Sequence, residues 1–351
     1  MRLARMRSII GPLMNIVGGV GALVVMWVGG SRVMAGRLSV GDLVAFVGYL
    51  HLLAWPTMAL GWMLSVFQRG RAAMQRLNEL LSVEPAIASL PGASPIEPFR
   101  GEIELRDVTF RYPGRPDGPP VLDRVSLRIP AGRTIAVVGR TGSGKSSLVQ
   151  LLPRLFDVEA GQVLLDGRDV RTLPLGWLRA TVGLVPQDTF LFSRTIAENV
   201  GFALADERRE RIEWAVDAAG LRRDLADMPA GLETVVGERG ITLSGGQKQR
   251  VTLARVLAAD PRVLVLDDAL ASVDASTERE ILDRLQDVFH SRTTLLVAHR
   301  ITTIKEADEI VVLERGRIVE QGTHDALLAR GTVYPDIFRQ QALDDELEAF
   351  G

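Results

Sequence analysis

The residues with the clearest chemistry form a glycine-rich loop: Gly139, Arg140, Thr141, Gly142, Ser143, Gly144, Lys145 and Ser146, followed by Ser147. The glycines allow backbone N–H groups to approach phosphate oxygens closely. Lys145 is expected to reach the β- and γ-phosphates, and Ser146 to offer its hydroxyl to Mg²⁺. The loop therefore predicts binding of a nucleoside triphosphate, as in many unrelated ATPases and GTPases.

The segments around this loop are a predicted strand before it and a predicted helix after it, as a phosphate loop requires. The apolar run 134–138 predicts a buried parallel strand before it, and a helix is predicted from about Lys145. The segment 262–266, which is apolar after Arg262, predicts another buried strand that ends in Asp267 and Asp268. An acidic pair after a strand usually caps a helix or lies in a solvated loop. The phosphate loop upstream favours instead a catalytic site in which Asp267 holds Mg²⁺.

A second glycine pair, Gly245 and Gly246, lies between Ser244 and Gln247 at the start of a predicted helix that Ser244 can cap. Together with the phosphate loop and the acidic strand end, this segment resembles the signature of ATP-binding cassette (ABC) proteins. In that family the signature of one protomer closes on ATP held by another. The resemblance covers residues 101–340 and implies an α/β P-loop nucleotide-binding domain with a helical subdomain and an antiparallel β subdomain.

The resemblance implies roles for further residues of this sequence. Tyr112 would stack on adenine, although a strand-end tyrosine packed under a turn is an equal alternative. Gln187 would contact Mg²⁺ and the attacking water, and His299 would hydrogen-bond the γ-phosphate. Asp274 lies in a segment that would cross the interface between two protomers, and residues 234–240 resemble a loop of exporters that lies near the coupling helices.

One residue departs from the family pattern. Asp268 stands where the family usually has glutamate, which orients and activates the attacking water. Aspartate retracts the carboxylate by roughly 1.5 Å, and a displacement of about 1 Å can cost on the order of 10²-fold in rate. We therefore expect ATP binding but slow hydrolysis at this chain's own site. The substitution resembles the degenerate-site subunit of heterodimeric exporters; a homodimer that tolerates aspartate is the alternative.

Two long uncharged runs precede this domain. Residues 9–30 would span roughly 33 Å as a helix, enough to cross a bilayer core of about 30 Å. Residues 43–67 form the second run, and the apolar spacing of 68–84 predicts that its helix continues beyond the membrane. Arginines outside the two runs place both ends of the pair in the cytoplasm.

These segments predict three parts. Residues 1–84 form a partial transmembrane domain of two helices, residues 85–100 a linker rich in proline, alanine and serine, and residues 101–345 the ABC domain. The two spans resemble the last two of the family's usual six. The chain therefore resembles the C-terminal portion of a half-transporter, and a truncated chain, a mis-set start and a partial polypeptide completed by another are the three explanations that stay open.

The composition limits the function further. The 351 residues include 41 basic and 43 acidic side chains, so no global charge attracts nucleic acid. The absence of cysteine excludes disulfides and thiolate zinc sites.

These features together predict an ATP-hydrolysing subunit of an ABC exporter in the cell membrane, with its ATP-binding domain in the cytoplasm. Its ligands would be ATP and Mg²⁺, and its partner a second half-transporter, with a heterodimer favoured over a homodimer. The transported substrate would be a small molecule, a lipid or a peptide. Two alternatives remain: a soluble-type ABC ATPase acting in translation or DNA repair, and a regulatory subunit that binds ATP with little hydrolysis.

Overall fold

A computed structural model of the chain describes residues 19–114, 118–204, 208–237, 243–298, 304–330 and 332–350, with side chains described up to residue 342. The chain divides into two compact units, Met1–Pro85 and Ala86–Gly351.

The described part of the first unit contains two helices, α1 (Gly19–Met34) and α2 (Val40–Leu81). Ser39 and Asp42 begin α2 with a reciprocal capping box, in which each side chain accepts the backbone N–H of the other. At 42 residues, α2 is about 63 Å long. The predicted second span and its continuation therefore belong to one helix.

Among the described residues, α2 is the one helix long and apolar enough to cross a membrane. It has no buried residue, and its exposed side chains include Trp55, Trp62 and Phe67. A continuous apolar surface of this size requires lipid or protein around it. The predicted first span is described only from residue 19 onward, where it belongs to α1; residues 9–18 lie outside the described part.

Residues 86–100 contain neither helix nor strand, and they belong to the second compact unit. The Arg154 guanidinium donates to the carbonyl of Ala88 at 3.2 Å. The ring of Phe99 meets that of Trp177 edge-on at 5.4 Å. The second unit thus includes all of the predicted linker, residues 85–100, except Pro85, because side-chain contacts that sequence spacing does not reveal attach it to the domain.

The second unit contains ten strands among its described residues: β1 (Ile103–Phe110), β2 (Leu122–Ile129), β3 (Thr134–Val138), β4 (Ala160–Leu165), β5 (Arg168–Asp169), β6 (Val182–Val185), β7 (Val263–Asp267), β8 (Thr293–Val297), β9 (Glu309–Glu314) and β10 (Arg317–Gly322). Its described helices are α3 (Lys145–Gln150), α4 (Leu175–Thr181), α5 (Ile196–Val200), α6 (Arg209–Ala218), α7 (Arg222–Ala226), α8 (Gly245–Ala258), α9 (Ala275–His290), α10 (His324–Arg330) and α11 (Val333–Phe350).

The strands form two sheets. One has the order β2-β1-β4-β5 and is antiparallel. The other has the order β10-β9-β3-β8-β7-β6 and is parallel except for the antiparallel pair β9 and β10. Every residue of β3, β7 and β8 is buried, as expected for parallel strands covered on both faces.

Helices α5, α6 and α8 contribute to a hydrophobic core that includes Ile196, Ala215, Val251 and Leu257. A different core lies between the sheets and α3, around Phe110, Leu127 and Leu148. The predicted α/β domain with an antiparallel β subdomain and a helical subdomain is thereby confirmed.

Candidate nucleotide site and signature segment

The phosphate loop connects β3 to α3, as its flanking pattern predicts. Its backbone requires glycine at two positions. A Cβ on Gly139 would collide with the carbonyl oxygen of Leu313, and one on Gly144 would lie 2.9 Å from that of Val121. Gly144 also has a φ of 106°, which side chains disfavour. The loop is therefore held against its neighbours with its N–H groups at the start of α3.

Lys145 lies under this loop and is only 6% exposed. Its ammonium group donates to the carbonyl oxygens of Gly139 at 2.6 Å and Arg140 at 3.3 Å. Burial lowers the pKa of Lys145, while the carboxylates of Asp268 and Asp267 act in the opposite direction. Because both partners inside the loop are neutral carbonyls, negatively charged phosphate oxygens would be stronger partners for this cation.

Two of the three residues predicted to hold Mg²⁺, Ser146 and Asp267, lie side by side. Ser146 Oγ donates to Asp267 Oδ1 at 3.1 Å, and Asp267 is 2% exposed. Burial raises the pKa of Asp267; the neighbouring Asp268 raises it further, whereas the Ser146 hydrogen bond and Lys145 lower it. A hydroxyl and buried carboxylate oxygens are ligands that suit Mg²⁺, and a bound cation would stabilise the charged form of Asp267.

Gln187 and Asp268 meet at the same edge of the sheet. Gln187 follows β6 and Asp268 follows β7, and these strands are parallel neighbours. Gln187 Nε2 donates to Asp268 Oδ2 at 3.3 Å. Asp268 has a φ of 52°, in the left-handed region where aspartate is several-fold enriched, and its N–H donates to Val297 O at 2.9 Å. The predicted catalytic carboxylate is thus fixed by its backbone and by Gln187.

A cavity of about 330 Å³ joins these groups. Its lining contains loop residues 141–147 with Gln187, Asp267 and Asp268. Gly139 and Arg140 are not among the lining residues: Gly139 is buried, and both contribute carbonyl oxygens that hold Lys145. The structure therefore gathers most of the residues predicted to bind the nucleotide around one space.

Tyr112 lines the same cavity. Its hydroxyl lies 2.8 Å from Ser147 Oγ, and its ring packs edge-on against Phe110 at 5.0 Å and Phe156 at 5.2 Å. Both interpretations of this residue are therefore compatible with its position, because the ring is packed at a strand end and also borders the phosphate loop. Adenine stacking remains a prediction.

The signature segment begins α8 as predicted. Ser244 is the N-cap: its Oγ accepts the N–H of Gln247 at 3.2 Å, and its own N–H donates to Gln247 Oε1 at 2.9 Å. Ser244 and Gly245 are exposed. Residues 244–247 are not among those that line the phosphate-loop cavity. The chain therefore holds its signature apart from the cavity that contains its own loop.

The signature helix packs against the segment that follows β7. A Cβ on Gly246 would lie 2.8 Å from Ser272 O, and Gln249 Oε1 accepts the N–H of Ser272 at 2.8 Å. Asp274 caps α9, with Oδ1 accepting from Ser276 Oγ at 2.6 Å and from Thr277 N at 2.9 Å. These bonds hold the pKa of Asp274 far below its usual range. Asp274 thus has a capping role beside its predicted interface role.

His299 lies outside the described residues, as do residues 238–240 of the segment predicted to lie near the coupling helices. The described chain reaches Ala298 after β8.

Sequence reasoning did not identify Asp224, which lies on α7 and contacts the signature helix. Its carboxylate accepts from Gln247 Nε2 at 3.0 Å and from the Arg250 guanidinium at 2.7 and 3.0 Å. No motif marks this acid, because it contacts the signature only through the packing of two helices.

The chain resembles ABC proteins in sequence. The profile of the ABC transporter family matches residues 122–271. The chain is 37% identical over 341 residues to an ATP-dependent lipid A-core flippase of Desulfotalea psychrophila, with 97% of this chain and 59% of the relative covered. It is 37% identical over 344 residues to the probable multidrug resistance ABC transporter ATP-binding/permease protein YheI of Bacillus subtilis, with 98% and 58% covered.

A solved structure resembles the chain in the same way. It is a bacterial Atm1-family ABC exporter with ATP bound, with a TM-score of 0.76, 35% identity, and coverage of 94% of this chain and 58% of that one. The chain thus spans about three-fifths of the length of the proteins it matches.

Proposed function

Since this chain belongs to the ABC transporter family, we propose that it is the ATP-hydrolysing subunit of an exporter in the cell membrane. The apolar surface of α2 supports a membrane location, with the ATP-binding domain on the cytoplasmic side. Relatives named as a lipid A-core flippase and a multidrug transporter support a lipid or another small molecule as the substrate.

The proposal rests on the separation of two parts of an ATP site within one chain, the phosphate-loop cavity and the signature segment. The cavity contains the phosphate loop, Gln187, Asp267 and Asp268, whereas Ser244 is exposed at the start of α8 and does not line it. A second protomer facing this one would bring its own signature to the cavity. ATP would then lie between the loop of one protomer and the signature of the other.

The residues of the cavity fit ATP with Mg²⁺. Ser143 Oγ is buried and has no hydrogen-bond partner among the described residues, so a phosphate oxygen would satisfy it. Lys145 and the loop N–H groups would hold the phosphates, and Ser146, Asp267 and Gln187 would hold the metal. Bound there, Mg²⁺ would neutralise part of the phosphate charge.

The signature of the opposite protomer would complete the site. Ser244 Oγ accepts a bond from Gln247 N–H, which leaves its hydroxyl proton to donate to a γ-phosphate oxygen. The N–H groups of Gly245 and Gly246 lie in the first turn of α8, where they have no partner within the helix. ATP would therefore draw the two domains together, and hydrolysis would release them to reset the membrane helices.

We further propose that the partner is a different half-transporter that carries the faster site. Asp268 would orient the attacking water, but its carboxylate is one methylene shorter than the usual glutamate and its backbone is held by Val297 O. Since the signature is complete and capped, this chain would contribute to turnover chiefly through Ser244, at the partner's site.

Variants at position 268 in the purified full complex test this assignment. Asp268→Ala is expected to change total ATP turnover by less than about twofold, since the faster site lies elsewhere. Asp268→Glu is expected to raise total turnover, because the longer side chain extends the carboxylate by roughly 1.5 Å toward the attacking water. A carboxylate that is displaced by about 1 Å from the water can lower the rate on the order of 10²-fold. Steady-state phosphate release measures both. Loss of all turnover in Asp268→Ala would rule out the heterodimer with a slow site.

A further inference from the structure

We propose that Asp224 is a positioning residue for Ser244 and acts through Gln247. The inference rests on the proposed function, in which Ser244 contacts the γ-phosphate held by the opposite protomer. Asp224 lies on α7, outside the segments that resemble family motifs, and its side chain is 16% exposed.

The first step is the orientation of the Gln247 amide. Asp224 carries a carboxylate, which can only accept hydrogen bonds, and it accepts from Gln247 Nε2 at 3.0 Å. The amide nitrogen must therefore face Asp224, and the amide oxygen faces the other way. That oxygen, Oε1, accepts the backbone N–H of Ser244 at 2.9 Å.

The second step is the direction of the Ser244 hydroxyl. With its backbone N–H bound to Gln247 Oε1, Ser244 keeps the extended N-cap conformation. Its Oγ accepts the N–H of Gln247 at 3.2 Å, which fixes the oxygen at the start of α8 and leaves the hydroxyl proton available for a partner outside the helix. Asp224, Gln247 and Ser244 thus form a continuous chain of hydrogen bonds that ends in an exposed donor.

The third step is the immobility of Asp224 itself. Arg250, on α8, forks onto both of its carboxylate oxygens at 2.7 and 3.0 Å, and the Arg250 side chain is 12% exposed. Arg250 also donates to Gly246 O at 3.3 Å and to Gly220 O at 2.9 Å. Bidentate pairs of this kind fix geometry strongly. Arg250 therefore connects α7 to the first turn of α8, where the signature lies.

Donors that stabilise developing charge must be in place before the reaction, because their reorganisation would be costly. Asp224→Asn removes the charge that holds Arg250 and allows the Gln247 amide to reverse. We expect ATP turnover at the partner's site to fall about 10-fold, within the range for a group displaced by less than about 1 Å. MgATP binding to this chain's own loop is expected to be unchanged, because Asp224 does not line that cavity.

The matched control is Asp217→Asn. Asp217 lies on α6 of the same subdomain and pairs with Arg222 at 2.8 Å rather than with α8. It is expected to retain wild-type turnover. Asp224→Glu keeps an acceptor-only carboxylate and is expected to retain more turnover than Asp224→Asn, although asparagine is closer in size. The reverse order would indicate a packing role and overturn the proposal.

A double-mutant cycle in the assembled complex provides the sharpest test. If Asp224 acts through Ser244, Asp224→Asn combined with Ser244→Ala should be no slower than Ser244→Ala alone. Additive losses, or wild-type turnover in Asp224→Asn, would overturn the positioning role. If Ser244→Ala itself leaves turnover unchanged, the proposed function fails instead. Thermal melting and own-site MgATP affinity, measured on each variant, separate these results from misfolding.

Discussion

Replacing Lys145 by alanine should weaken MgATP binding to this chain's own site by about 10²- to 10³-fold. Lys145 is buried beneath the loop, and Asp267 and Asp268 act on its charge. Removing a buried cation from a charge pair typically costs about 2–5 kcal/mol, and about 1.4 kcal/mol corresponds to a tenfold change in affinity. Lys145→Ala removes the contact between the ammonium group and the phosphates. It also leaves the carboxylates of Asp267 and Asp268 opposite the phosphates without the positive charge of Lys145. Titration with a fluorescent ATP analogue measures the affinity.

Lys305→Ala is the control for this variant. Lys305 is exposed and lies 5.7 Å above the ring of Phe338, so its loss is expected to leave MgATP affinity at the wild-type value. Wild-type affinity in Lys145→Ala, with an unchanged melting temperature, would contradict the placement of the phosphates in this loop.

Replacing Ser244 by alanine should leave own-site binding intact and lower turnover at the partner's site by about 10²-fold, the scale for one lost donor to a developing charge. Ser244 is exposed, and residues 244–247 do not line the cavity of the chain's own loop. Phosphate release and substrate transport by the full complex measure the effect. Wild-type transport in this variant would support a regulatory subunit instead.

Ser244 also caps α8, and loss of a cap costs about 1 kcal/mol of stability. Ser244→Asp separates the two roles, because aspartate is an equally good N-cap but brings a negative charge to the phosphate. We expect Ser244→Asp to restore the melting temperature and to remain as inactive as Ser244→Ala. Recovery of turnover in Ser244→Asp would mean that the cap alone matters.

Features encoded by consecutive residues were predictable from the sequence. The strand, glycine loop and helix at 134–150 follow from an apolar run, three glycines and a lysine, and the structure has all three elements there. The capped start of α8 at Ser244 was predictable for the same reason. In both places the local sequence favours the same secondary structure that packing in the folded domain favours, so the local sequence alone predicts the element.

Features that depend on packing between distant segments were not predictable. Asp224 contacts Gln247 because α7 lies beside α8, and no periodicity in the sequence indicates that approach. Residues 86–100 have the composition of a linker, but Arg154 and Trp177 hold them on the domain. The ring of Tyr112 is packed at a strand end and also borders the cavity, so its position is compatible with both interpretations and adenine stacking stays a prediction.

The central claim is that the signature of this chain contacts ATP held by another protomer. The direct measurement is photolabelling of the full complex with an ATP analogue that carries a reactive group on its γ-phosphate. In this complex only one of the two protomers, this chain, carries Lys145→Ala. If the complex is a homodimer, wild-type and variant copies with different tags are mixed. We expect the label still to attach to the peptide containing Ser244 of this chain, because the partner's loop holds the nucleotide. Disappearance of that label with Lys145→Ala would show that the signature contacts only nucleotide of its own chain, which would contradict the account.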